Sequence, residues 1–304
     1  MNIIRTTIAT SVLALAATAA FAAEGTFDKA LSVSGSAIVN ISTGSGYIHV
    51  LPGSDTQVHV IGHVHSNRGW FGADADSKVK EIVASPPIAQ TGNIVTIGAQ
   101  HGDWSLFRNI SIDYDVTLPK STTLKATTGS GDVHIANIEG TVTAQSGSGD
   151  VKTENIGANA KLGTGSGSIE ANGVHGAAYA ETGSGNIHLQ VTAPGDVKVS
   201  TGSGSIHVDG VSGALKAGTG SGDVEIQGTP TSEWKLDTGS GSIRLTLGNG
   251  AKFNLNAETG SGNVHLSQPI TMQGDLNKHH IIGSVNGGGP TIKAETGSGN
   301  ITIQ

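Results

Sequence analysis

The chain has 304 residues, of which 46 are Gly, with 4% aromatic and 13% charged residues and a formal net charge of −7. The acidic balance argues against a generic nucleic-acid binder, and the glycines lack the third-residue period of collagen. Val, Ile, Leu and Ala alternate with polar residues, which excludes a disordered chain. The absence of Cys excludes disulfides and a Cys-linked lipid anchor.

Residues 1–22 read as a secretory signal peptide. Arg5 supplies a basic start, an apolar Ala-rich run follows over residues 8–20, and Ala20-Phe21-Ala22 offers small residues flanking a cleavage point. The run is short for a membrane anchor, and no other segment approaches a membrane span. The expected mature chain is therefore exported to the periplasm, the outer surface or the medium, with no transmembrane segment. Residues 23–123 predict strands and one short helix over residues 76–84, ended by Pro86 and Pro87. This part is expected to form the first coils and a cap.

Residues 124–304 are a repeat array. GSG begins at Gly129, Gly147, Gly165, Gly183, Gly202, Gly220, Gly239, Gly260 and Gly297, with an earlier copy at Gly44. Thr precedes every copy except one, where Ser146 stands. Apolar residues sit five and three positions before the first Gly, as at Ala178 and Ala180, and four and six after it, as at Ile187 and Leu189. Period-two alternation on both sides of a small-residue corner means two short strands per unit, each with one inward face. Such a unit buries its apolar face only by stacking on its neighbours.

The fold class expected is all-β, a single-stranded parallel β-helix (β-solenoid) of ~18-residue coils, right-handed by the usual crossover rule. A propeller is the competitor, but its blades need four strands. Eight or nine coils would make a rod ~40 Å long. The wide final interval predicts one degenerate coil across KHHIIGSVNGGG.

The TGSG[DNS][IV]x[IVL] units, the segment ISIDYDVTLPKSTTLKATTGSGDVHI and the closing KHHIIGSVNGGGPTIKAETGSGNITIQ resemble a family of bacterial "putative adhesins" of otherwise unknown function. The resemblance covers residues 26–304. It implies a β-solenoid of the cell envelope with no catalytic residues to carry over, and it informs location and fold better than activity.

Three sets of side chains are candidates for chemistry. GSGD at Asp132 and Asp150 is similar to calcium-binding repeats, although Asn and Ser fill the same position elsewhere, as a turn also requires. His188 and His207 are expected to stack on an outer face, two ligands for a transition metal that lack a third. Lys161, Lys198, Lys216 and Lys235 fall in one outward column, four residues before the corner, with Lys125 and Lys293. A column repeating every coil suits a linear anionic polymer, since each coil adds one weak contact; it also suits a plain soluble face that discourages lateral association.

Two further features have quieter readings. His63, His65, Trp70 and Phe71 suggest a cap loop, whose aromatics would also suit a sugar ring. The Thr column beside the corners reads as a hydrogen-bonded turn ladder rather than an ice- or crystal-binding face. No Ser-His-Asp set, phosphate loop or separate group of convergent carboxylates appears. The functional expectation is a non-enzymatic structural or surface-binding protein with no cofactor. Its expected partner is an envelope or extracellular polysaccharide or another surface protein; the alternative is a polysaccharide-active enzyme or an acidic-glycan-binding β-helix.

Overall fold

The computed structural model describes residues 23–66, 73–98, 107–272 and 277–304. The expected leader, residues 1–22, lies outside them, as do Trp70 and Phe71.

Each repeat folds as the alternation dictates. The strand Ala178–Thr182 leads into a TGSG corner, and the strand Ile187–Val191 leaves it. Strands before the corners build one sheet and strands after them build the other. Neighbouring coils pair in parallel without slippage at the corner, with Ala180 opposite Val199 and Thr182 opposite Thr201. On the other sheet Ile187 stands opposite Ile206 and His188 opposite His207. Among the described residues eleven strands run parallel in each sheet, one per coil. At ~4.8 Å per coil the stack is roughly 50 Å long.

The core is the space between the two sheets. Small residues line one wall, including Ala126, Ala144, Ala180, Ala217, Ala257 and Ala294, and face Ile, Val and Leu on the other. Trp234 fills one layer and donates its indole Nε1–H to the Gly213 carbonyl at 3.0 Å. The apolar residues of both sheets form one contiguous cluster from coil to coil, which is how a one-dimensional stack holds together.

Both ends of the stack are closed by antiparallel strands. Glu24–Ser32 pairs with Gln57–Ser66, which pairs with Ile110–Leu118. The helix Ala73–Ala84 packs on the first two of these. It starts slightly earlier than the sequence suggests and carries Asp74 and Asp76 in its first turn, where the helix dipole favours them. At the far end His280–Val285 runs antiparallel to Phe253–Ser261.

The order of coils departs from the order of the sequence at both ends. The coil Ile38–Thr43 with Ile48–Pro52 sits between the coil containing Ile94–Ile97 and Ile110–Leu118 and the coil starting at Thr123. At the other end Thr291–Ser298 and Ile301–Ile303 insert between the coils starting at Trp234 and Phe253. The degenerate coil expected across KHHIIGSVNGGG is therefore absent from its predicted place. That stretch forms the antiparallel cap strand and the return that brings the last coil back into the stack. The reason lies in the apolar pattern: His280–Val285 has no second strand after a corner, so it closes an edge instead of extending the stack.

Candidate functional site

The corners come first, because they fix where the outer columns point. Thr182 Oγ1 donates to the carbonyl of Gly167 in the preceding coil at 2.8 Å and accepts the Gly185 amide at 3.2 Å. The same donation recurs at Thr164, Thr201, Thr219 and Thr238, and Ser146 substitutes with a 2.8 Å bond to Gly131. These hydroxyls are buried. A Cβ on Gly185 would lie 1.9 Å from the Gly167 carbonyl oxygen, and one on Gly183 would lie 2.3 Å from that of Gly165. TGSG is thus a stacking joint, and its Thr column is the turn ladder expected.

The residue after the corner forms a second ladder. Asp132 Oδ1 accepts the Asp150 amide at 2.8 Å, and Asp150 Oδ1 accepts the Ser168 amide at 2.7 Å. Asn186, Asp223 and Asn300 do the same for Ser205, Ser242 and Asn263. Asp, Asn and Ser interchange because each offers an oxygen to the next coil's amide. One oxygen of both candidate calcium ligands is so engaged, and the described residues contain no group of three or more acidic or His side chains placed to hold a metal ion.

On the sheet preceding the corners, the lysines form one column, with Lys293 brought next to Lys235. Lys198 pairs with Lys216, Lys216 with Lys235, and Lys235 with Lys293. The inserted coil supplies the fourth consecutive lysine. Lys161 continues the column on the other side of Tyr179. The Tyr179 ring lies between two ammonium groups, with Lys161 Nζ 5.6 Å and Lys198 Nζ 5.2 Å from its centroid, a favourable cation–π geometry.

The lysines differ in their partners. Two positions further along each strand, Asp237 and Glu295 meet Lys235 at 4.0 Å and Lys293 at 2.7 Å. The hydrogen bond that the Lys293 ammonium donates to Glu295 raises it above the ordinary lysine range. Gly163, Ser200 and Gly218 occupy the equivalent places beside Lys161, Lys198 and Lys216. Those three ammonium groups make no ion pair among the described residues and are exposed.

Alongside the column runs a groove of about 550 Å³. Its floor is apolar, with Ala160, Ala178, Val197 and Leu215, and the lysines form one wall. Asp196 and Glu233 also line it. The sequence reading missed this groove, because its floor residues read only as core; the signal available was the run of small residues, Ala177, Ala178 and Ala214, at the starts of the strands.

On the other sheet His188 and His207 do meet, with ring centroids 4.8 Å apart and planes 4° apart. Parallel stacking points their nitrogens side by side rather than toward one centre. His207 also contacts Asp209 at 3.0 Å and Glu225 at 3.4 Å, and Arg244 reaches Glu225 at 3.7 Å. The column is a mixed-charge outer face.

A denser histidine group lies at the N-terminal end of this sheet. His49 Nδ1 and His63 Nε2 approach the two oxygens of Asp115 at 3.3 and 3.2 Å, and His65 approaches Asp113 at 3.9 Å. Tyr47 donates its hydroxyl to Asp115 at 3.1 Å; burial, helped by that carboxylate, pushes its phenol up to about 12. His134 stacks on His49 at 4.9 Å and 7°. Partial burial and the neighbouring His49 hold His134 below the ordinary histidine range.

Two parallel sheets joined by ten stacked glycine corners define a β-solenoid scaffold of the kind that presents long, regular outer columns. The chain belongs to the family described as Toastrack DUF4097, whose model matches residues 87–194 and 192–304. No curated protein matches the chain. Among solved structures it is similar to a "putative cell adhesion protein" from Clostridium sporogenes, at 12% identity over 92% of this chain and 99% of that one, with a TM-score of 0.23. It is also similar to "putative adhesins" from Bacteroides fragilis, at 15% identity over 92% and 97% with a TM-score of 0.34, and from Parabacteroides distasonis, at 8% over 92% and 97% with 0.31. At these TM-scores the likenesses carry no argument about role. No helix among the described residues is long and apolar enough to cross a membrane.

Proposed function

We propose that the protein is an exported, non-catalytic surface-binding scaffold that holds a linear anionic polymer, an acidic polysaccharide, along its lysine column. The observation that carries this reading is the uninterrupted run Lys198, Lys216, Lys235 and Lys293, of which the first three line a largely apolar groove together with Lys161. One cation per ~4.8 Å presents a row of equal charges to a polymer whose own charges repeat. Each contact is weak and solvent-screened, so strength comes from their number. The unpaired Lys198 and Lys216 are the strongest contributors, because no carboxylate competes for them.

Replacing Lys198, Lys216 and Lys235 together with Gln tests the reading. Retention on an immobilised uronate polymer should be lost while the melting temperature stays within a few degrees. Unchanged retention overturns it. Depolymerisation of the polymer by the unmodified protein would favour the enzyme alternative instead.

A further inference from the structure

A coil late in the sequence is inserted into a slot between two earlier ones. The coils Trp234–Leu247 and Phe253–Leu266 are consecutive in sequence, yet they do not touch as neighbours in either sheet. Thr291–Ser298 lies between their first strands, with Ile292 opposite both Trp234 and Leu255. Ile301–Ile303 lies between their second strands, with Ile301 opposite both Ile243 and Val264. Both corner ladders cross the junction. Thr296 Oγ1 donates to Gly241 and Thr259 Oγ1 to Gly299, while Asn300 N and Oδ1 link Ser242 to Asn263.

Two features show that the slot belongs to the body and the insert to a tether. From Gly129 to Gly239 the corner-to-corner intervals are 18 or 19 residues, but that from Gly239 to Gly260 is 21, which lets the connection step across the width of an extra coil. The insert joins the cap through Asn286-Gly287-Gly288-Gly289-Pro290, where Asn286, Gly287 and Gly288 all have positive φ, of 52°, 88° and 80°. Three consecutive glycines make that tether the most permissive segment of backbone in this end of the molecule.

The slot offers four sheet edges, two on each side, and these edges hold the inserted coil by main-chain pairing, corner register and the burial of Ile292, Ala294, Ile301 and Ile303. Any copy of the segment satisfies them equally. We propose that the coil Thr291–Ile303 is an exchangeable element, and that the partner this surface fits is the same segment of a second copy of the chain. Swapping an identical element needs no new interface, only a hinge that opens outward. The tether keeps a high local concentration of the chain's own segment, so exchange wins only when chains fold together at high concentration. A body whose slot is empty exposes unpaired edges that template association, which gives exchange its driving force.

The test exploits the absence of Cys. Arg244 and Thr302 are register partners on the outer face, at a Cα spacing compatible with a disulfide. A chain carrying both Arg244→Cys and Thr302→Cys should cross-link within itself, and failure to do so would overturn the slot and the proposal with it. Chains carrying only Arg244→Cys are then refolded from denaturant together with chains carrying only Thr302→Cys, and oxidised. Neither can close a disulfide internally. The expected product is a covalent dimer whose peptide map shows the 244–302 link, several-fold above the 244–244 and 302–302 links. Cross-linking of the mixture no greater than that of either variant alone, with the internal link intact in the double variant, overturns exchange.

Discussion

Lys293 stands in register with Lys235, one coil above it on the outer face of the groove-bearing sheet. Sequence order places the coil of Asn256 next to that of Lys235; the inserted coil displaces it and completes four consecutive lysines. Lys125, by contrast, is separated from Lys161 by Thr143.

This makes the lysines unequal in a way that sequence alone ranks wrongly. Lys293→Gln should weaken retention on an acidic polysaccharide more than Lys125→Gln does, by roughly 2–5-fold in apparent affinity. The salt concentration needed to elute each variant measures the difference. Equal losses would mean that total charge matters and the contiguous run does not.

The corners predict a sharp contrast between two glycines. Gly185→Ala puts a methyl group against the Gly167 backbone, whereas the nearest atom to a Cβ on Gly163 is 3.8 Å away. Gly185→Ala should cost about 3 kcal/mol, and Gly163→Ala should be neutral or slightly stabilising through the unfolded state. Thermal melts of the two single variants give the answer, and comparable melting temperatures would contradict the stacking joint.

The threonine ladder makes a separate prediction, because shape and hydrogen bonding can be pulled apart. Thr182→Val keeps the volume but leaves the Gly167 carbonyl without its donor, at a cost of about 1–3 kcal/mol. Thr182→Ser should recover most of that loss, as Ser146 already makes both bonds in its own coil. Denaturant unfolding of the pair decides it; a valine variant as stable as the parent would show that packing alone holds the corner.

Much of this architecture is legible in the residues. The inward pairs such as Ala178/Ala180 and Ile187/Leu189 are buried, Leu266 alone only partly, because a period of two leaves a strand only one choice of face. The lysine column follows from the same alternation. Coil order does not, because the ten TGSG-type corners are nearly identical and do not mark which coil stacks on which; the long Gly239–Gly260 interval is the hint of displacement at the far end. The histidine and aspartate group around Asp115 was also out of reach, since an antiparallel strand, Gln57–Ser66, brings His63 and His65 to it from outside the repeat.

His134 sets the sign of one pH response. Its Nε2 is shielded and has no hydrogen-bond partner, and it faces His49, Lys152 and, at 3.8 Å, Glu154. Burial, and after it the neighbouring His49, lower its pKa in the folded protein, against an ordinary value near 6.5. The unfolded chain therefore takes up the proton first as pH falls. The stability associated with neutral His134 is fully present above about pH 6.5 and declines as pH drops through the lowered folded value. Between about pH 7.5 and about pH 5 the melting temperature should fall by less in His134→Gln than in the parent, because glutamine has no proton to accept. The same fall in both proteins would remove His134 as its source.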